Sequence, residues 1–165
     1  MVALAGCHAT TSNAVAPPAG YHFPALSRRV VDAAHILPPA DVVRMERWSQ
    51  MLDRKTGHQL VVVTVTSLEG HDIADYARQL GTYWGIGRKG YYDGVILLIA
   101  PNEHKVRIAV GDGLRREMTD EQAQHILNAD VLPSCRDGDI ATGVLMGASD
   151  LTWDLLGSQQ EKTWF

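Results

Sequence analysis

The sequence has little of what marks several classes of protein. Two cysteines among 165 residues are too few for a disulfide framework. No stretch reaches the ~18 consecutive apolar residues of a transmembrane helix. No long run of Lys or Arg occurs and the formal net charge is −4, so we expect no nucleic-acid partner. An apolar content of 45% is ordinary for a globular protein, and the length predicts one domain with short tails.

The common catalytic signatures are also missing. The sequence contains no Walker phosphate loop, no His-Glu-x-x-His motif and no nucleophile elbow. Its seven histidines are scattered along the chain, and we expect most of them to be in solvent. These absences leave open whether the protein is an enzyme.

The N-terminus resembles a bacterial lipoprotein signal. The segment "LAGC" ends at Cys7, which would become the lipidated residue, although the charged and apolar segments that normally come first are missing. The alternative is a short apolar N-terminus. The following "HATTSNAVAPPAG" lacks apolar periodicity, so residues 1–27 are predicted to be a signal remnant and disordered tether. The domain is predicted to span residues 28–157 and to be followed by a tail at 158–165. The protein is predicted to be a periplasmic lipoprotein anchored to a membrane.

Two apolar runs predict the centre of a sheet. Leu60–Thr66 and Val95–Ala100 are rich in β-branched residues, as expected for strands covered on both faces. The segment 73–84 between them has apolar residues at helical spacing, and a strand–helix–strand unit of this length makes the two strands parallel. Residues 106–110 alternate between apolar and other side chains after a short turn, which predicts an antiparallel hairpin.

Three further helices are predicted to cover the sheet. Their apolar positions recur at helical spacing, with approximate bounds 38–57, 119–133 and 139–156. Thr119 is the predicted N-cap of the middle helix, with Gln122 completing a capping box. The fold class is therefore α/β, with a mixed sheet covered by about four helices.

The topology brings three carboxylates towards one rim of this sheet. Asp93 precedes one hairpin strand, Asp112 follows the other, and the helix that contains Asp120 leaves from the same end. Clustered carboxylates beside glycines suit Ca²⁺ or Mg²⁺, and the amides near Thr119 suit an anion such as phosphate. The alternative is a plain turn, in which Gly111 and Gly113 supply positive φ angles and Asp120 interacts favourably with the helix dipole.

Several motifs, in order, resemble the TPM domain family. They run from about Val30 to Leu156 and comprise "VVDAAHIL", "TGHQLVVVTVTSLEG", "IADYARQLGTYWGIGRKGYYDGVILLIA", "VRIAVGDGL", "MTDEQA" and a Pro-Arg-Gly-Asp pattern from Pro133 to Asp139. The family includes a thylakoid lumen acid phosphatase, photosystem II repair factors and bacterial secreted or membrane-tethered proteins. The resemblance implies a three-layer α/β/α sandwich. Asp93, Asp112 and Asp120 match its glycine-rich acidic rim.

The resemblance also implies two kinds of function. In one, a cation held by Asp93, Asp112 and Asp120 polarises a phosphomonoester while the amides from Thr119 and the side chain of Arg115 hold its oxygens. In the other, the domain is a non-enzymatic assembly or repair factor that binds an envelope component, which the lack of an evident nucleophile favours. The family usually has glutamate where this chain has Arg115, so we expect Ca²⁺ or Mg²⁺ to bind weakly. The family often continues into a transmembrane helix, whereas this sequence stops at Phe165, so we expect an N-terminal lipid to be the membrane attachment.

Overall fold

A four-stranded mixed sheet lies at the centre of the structure, a computed structural model that describes residues 16–160. The strands are β1 (Val30–Asp32), β2 (Gln59–Thr64), β3 (Gly94–Ala100) and β4 (Lys105–Val110), and they lie side by side in that order. β1, β2 and β3 are parallel, and β4 is antiparallel to β3. The predicted crossover unit and hairpin are confirmed. β1 was not predicted, because its three residues are too few to show a period.

Helices cover both faces of the sheet. They are α1 (Pro39–Thr56), α2 (Ile73–Trp84), α3 (Asp120–Ile126), α4 (Leu132–Arg136) and α5 (Ile140–Gln160). α2 packs on one face, where Tyr76 and Leu80 share a core cluster with Leu98. Residues of α1, α3 and α5 form the core on the other face with Leu60 and Leu97. This arrangement of three layers confirms the predicted α/β/α fold.

The helix that begins at Thr119 differs from the prediction at its end. Thr119 and Gln122 form the predicted capping box. The chain then continues through a π-helical turn, Leu127–Val131, directly into α4. Pro133 does not end the helix as predicted, because it lies in the first turn of α4, where its missing N–H breaks no helical hydrogen bond. A π-helical turn has no simple sequence signal, which explains the difference.

Part of the predicted tether packs against α2. Tyr21 is buried, its ring stacks on His71 with a centroid distance of 3.9 Å, and its hydroxyl donates to Asp75 at 3.0 Å. Phe23 meets the ring of Tyr76 edge-on at 5.1 Å. The folded part of the chain therefore begins several residues before the predicted boundary at residue 28.

Candidate functional site

The three predicted carboxylates lie in two different environments, and the first of them is buried. Asp93 is 3% exposed. Its Oδ1 accepts the backbone N–H of Arg88 at 2.7 Å, and its Oδ2 accepts Nε of the same arginine at 2.6 Å. Burial raises the pKa of Asp93, but the hydrogen bonds and positive charge of Arg88 outweigh it and the net pKa is lowered. The ionised carboxylate is therefore already neutralised by a cation of the chain itself.

A histidine lies beside this pair. His58 is buried, an exception to the expectation that most of the histidines are in solvent. Its Nδ1 is 3.6 Å from Asp93 Oδ2, and its Nε2 is 3.0 Å from Glu117 Oε2. His58 and Asp93 continue the inward-facing alternation of β2 and β3, in which Leu60 and Val95 belong to the same core cluster. That period of two was the signal that could have identified His58 as buried.

Asp112 and Asp120 lie elsewhere, on the wall of a groove between α2 and β4. This α2–β4 groove has a volume of about 850 Å³, and Gly81, Ile96 and Ala109 are among its lining residues. Asp112 is exposed and accepts Arg115 Nε at 2.7 Å, while Asp120 is exposed in the first turn of α3. Asp93 is not among the residues that line the groove. The structure thus brings Asp112 and Asp120 to one surface and leaves Asp93 in the interior.

The glycines of this rim have a different role from the one expected for a plain turn. Gly111 has a φ of −66°, so it does not supply a positive φ angle. A Cβ atom on Gly111 would lie 2.1 Å from Tyr92 O, and one on Gly113 would lie 1.7 Å from Tyr91 O. Gly113 N–H also donates to Tyr92 O at 3.1 Å. Both positions are glycine because the two chain segments approach each other too closely for a side chain.

Charged groups of both signs surround the α2–β4 groove. Its cations are Arg78, Arg88, Lys89, Arg107 and Arg115, and its acids are Asp72, Asp75, Asp112 and Asp120. Several of them are engaged with each other, since Arg78 pairs with Asp75 and Arg115 pairs with Asp112. Within residues 16–160, no group of three or more His, Cys, Asp and Glu side chains is arranged to hold a metal ion. The weak Ca²⁺ or Mg²⁺ site stays a prediction.

The predicted anion site at Thr119 and Arg115 has donors that are partly engaged. Gln122 N–H donates to Thr119 Oγ1 at 3.2 Å, and Thr119 N–H donates to Gln122 Oε1 at 2.8 Å. Arg115 donates to Asp112. An anion here would have to displace Asp112 from Arg115 or bind through the remaining amides of the first turn.

The sequence matches a known protein family. The model of the TPM domain matches residues 30–152. UPF0603 protein YdjH of Bacillus subtilis (strain 168) is 34% identical over 62 residues, which are 38% of this chain and 24% of that protein. The matched region is thus about a quarter of that relative's length.

Solved structures show the same fold. The N-terminal domain of a protein from P. gingivalis superposes with a TM-score of 0.75 at 26% identity, covering 81% of this chain and 85% of that one. BA42 protein of Bizionia argentinensis gives 0.63 at 15% identity, covering 75% and 84%. The N-terminal domain of cg2496 protein from Corynebacterium glutamicum gives 0.60 at 18% identity, covering 76% and 78%. With the family model matched from β1 into α5, the chain belongs to the TPM domain family.

Proposed function

We propose that this protein is a non-enzymatic binding domain of the periplasm, tethered to a membrane through a lipid on Cys7, that holds a segment of an envelope protein in the α2–β4 groove. The observation that carries the proposal is the separation of the acidic residues. Asp93 is buried and bound by Arg88, so it is engaged within the fold. What reaches solvent is a large groove with mixed charge and an apolar floor, which suits a polypeptide.

The membrane attachment in this proposal is a lipid. Cys7 lies outside the described residues. No helix among residues 16–160 is long and apolar enough to cross a membrane. Mass spectrometry of the protein from membranes should show a diacylglyceryl or triacyl modification on Cys7, and Cys7→Ser should move the protein to the soluble fraction. An unmodified Cys7 in the membrane-bound protein would remove the lipid from the proposal.

Site-specific photo-crosslinking tests the binding function. A photoreactive residue at Thr82, which is exposed and lines the α2–β4 groove, should capture an envelope protein in cells. The matched control places it at Gln50, which is exposed on α1 in the opposite helical layer. The captured protein should then bind the full chain when both are purified. Equal capture from Thr82 and Gln50, or no binding by the purified protein, would contradict the proposal.

A phosphatase remains a second candidate because Asp112, Asp120 and Arg115 line the same groove. In that case Asp112 and Asp120 would hold a divalent cation, which would supply Lewis-acid polarisation of a phosphomonoester, and Arg115 would hold a phosphate oxygen. Turnover of p-nitrophenyl phosphate with and without Ca²⁺ or Mg²⁺ separates the two candidates. Our proposal expects no turnover above background, whereas cation-dependent turnover that Asp112→Asn abolishes would favour the phosphatase.

A further inference from the structure

We infer that the partner segment, given the proposed binding function, docks as an extended strand along the free edge of β4 and presents acidic side chains at alternate positions. Neither a covalent step nor a metal is involved. The partner is therefore an acidic polypeptide that docks in an extended conformation.

The backbone of β4 provides the edge. β4 is the last strand of the sheet and, among residues 16–160, pairs with β3 alone. Gly111 N–H donates to Gly94 O at 2.8 Å, so the bonds to β3 come from every second residue back along β4: Ala109, Arg107 and Lys105. The backbone N–H and C=O groups of Val106, Ile108 and Val110 therefore point away from the sheet. Such a row of backbone groups pairs readily with another extended chain.

Side chains of β4 divide between two faces. Arg107 and Ala109 line the α2–β4 groove, whereas Val106 and Ile108 pack against the core on the opposite face. An added strand continues the pleat, so its own side chains alternate in the same way. One set would enter the groove beside Arg107, and the other would lie beside the half-buried Val106 and Val110. The partner strand that fits therefore has polar and apolar residues in alternation.

The charges that line the α2–β4 groove indicate which polar residues of the partner would bind there. Arg78, Arg88 and Arg115 each pair with an aspartate, whereas Lys89 and Arg107 form no ion pair among the described residues. The two unpaired cations line the groove, and Lys105 at the start of β4 is exposed as well. Glutamate or aspartate on the groove side of the partner would therefore find unpaired cations.

The same charges argue against a second copy of this chain as the occupant. In a two-fold pairing of β4 with itself, Lys105 and Arg107 of one copy would lie near those of the other. Like charges on adjacent strands destabilise the pairing. A partner with acidic residues has the opposite, favourable interaction.

The test uses a blocked seven-residue peptide that alternates glutamate and valine, titrated into the ¹⁵N-labelled full chain. The amide signals of Val106, Ile108 and Val110 should shift, and cross-strand NOEs should connect β4 to the peptide. A peptide alternating lysine and valine, and one with the same composition in two blocks, are the controls and should bind at least about tenfold more weakly, the factor that corresponds to ~1.4 kcal/mol. No shift on β4 at millimolar peptide, or equal binding of the lysine peptide, would overturn the inference.

Two variants separate the backbone contribution from the charge contribution. Val106→Pro removes an N–H that points away from β3, so the hairpin should stay intact while peptide binding falls about tenfold or more. Arg107→Glu should weaken binding by a similar factor, and Arg47→Glu, the same change on an exposed residue of α1, should not. If Val106→Pro disturbs the fold, the comparison of Arg107→Glu with Arg47→Glu still tests whether the partner docks beside β4. Peptide binding that Arg107→Glu leaves unchanged would overturn the inference.

The outcomes distinguish this inference from the proposed function. If Thr82 captures the envelope protein equally in the Val106→Pro and wild-type chains, the groove binds its partner without strand addition and only the inference fails. If Thr82 captures nothing more than Gln50 does, the proposed function fails as well.

Discussion

Asp93, Arg88, His58 and Glu117 form a polar cluster beneath the start of β3, in which Asp93 and His58 are buried and the side chain of Arg88 is 43% exposed. A carboxylate removed from water is stable as an anion only when it has hydrogen bonds and a nearby cation. Arg88 supplies both, with a backbone N–H at 2.7 Å and a side-chain Nε at 2.6 Å. His58 lies between Asp93 and Glu117 and so joins the start of β2 to the loop that follows β4. The cluster stabilises the rim on which the groove is built.

Replacing Asp93 by asparagine should destabilise the protein in a pH-dependent way. Arg88 lowers the folded-state pKa of Asp93, so the stabilisation is present above the unfolded pKa of about 3.9 and is lost as the pH falls through the lower folded pKa. At pH 7, Asp93→Asn should cost about 1.5–3 kcal/mol, the range for hydrogen bonds to charged groups. Urea unfolding at pH 7 and pH 3 is the measurement. A cost that does not shrink at pH 3 would contradict this account of Asp93.

Asp112→Asn is the exposed counterpart of that change. Asp112 also bonds to an arginine, but its side chain is 80% exposed, and exposed ion pairs contribute little to stability. We expect the free energy of unfolding to stay within about ±0.5 kcal/mol and partner capture from Thr82 to be kept. Thermal unfolding and the crosslinking assay provide the test. Unchanged stability combined with loss of a Ca²⁺ response would instead support the metal-dependent phosphatase.

Asp150 on α5 has an unusual environment. Burial raises its pKa to about 6, with contributions from a hydrogen bond to Asp130 and from the charges of Asp130 and Asp154. Because the folded-state pKa is raised, the protonated form of Asp150 stabilises the fold. This contribution to the free energy of unfolding is complete below pH ~4 and is lost as the pH rises to about 6. Asp150→Asn should therefore raise the free energy of unfolding at pH 7.5 by about 1 kcal/mol, discounted for partial exposure, with no gain at pH 4.

Denaturation of the variant and wild type at both pH values checks this prediction. Asp154→Asn, an exposed position one turn further along α5, is the matched control and should give a smaller gain. A gain of equal size at pH 4 would show that the charge of Asp150 is not the cause.

At the scale of elements, α2 is held in place partly by the chain that precedes the sheet. Tyr21 and Phe23 cover its aromatic side chains, and Trp84 Nε1 donates to Pro24 O at 3.1 Å. The segment thus contacts α2 from His71, just before its first turn, to its last residue. Because α2 forms one wall of the α2–β4 groove, these contacts also fix the groove's width.

Tyr21→Ala should release this segment. The change removes a buried ring, its stacking on His71 and its bond to Asp75. Limited trypsin digestion should then cleave after Arg28 or Arg29 several times faster than in the wild type, because cleavage tracks how often the site opens. Tyr91→Ala, which removes a largely exposed tyrosine, should leave the rate unchanged. Equal rates for the two variants would show that Tyr21 does not hold the segment.

The elements differ in how well their residues predict them. β2 and β3 could be predicted because buried strands are rich in continuous β-branched runs. α2 could be predicted because its apolar residues at helical spacing, its N-cap Asp72 and its C-cap Gly85 all indicate the same helix. β1 pairs through three residues, and the docking of Tyr21 depends on long-range contacts, so local pattern identifies neither. The closeness of Asp93 and Asp112 at one end of the hairpin was predicted from topology. The inward direction of Asp93 was not predicted, although Asp93 continues the alternation of Val95 and Leu97, which lie in the core.

At the scale of the whole molecule, the two faces of the sheet are covered unequally. One face carries α1, α3 and α5 over a large core cluster, while the other carries α2 and the short segment around Tyr21. The space left beside α2 is the α2–β4 groove, and it opens next to the edge of β4 that pairs with no strand in the described part of the chain. Pattern in the sequence established the layers. It could not predict that the two faces are covered unequally, because the face on which each helix lies depends on packing.

If the proposed lipid anchor is present, the docking of Tyr21 limits how far the domain can stand from a bilayer. If the lipid is on Cys7, fourteen residues separate it from the point where the chain is fixed beside His71, and a chain of that length spans at most ~50 Å even when fully extended. Under that condition the partner segment would be one that emerges close to the same membrane surface, which would place membrane-embedded proteins with acidic juxtamembrane segments within reach.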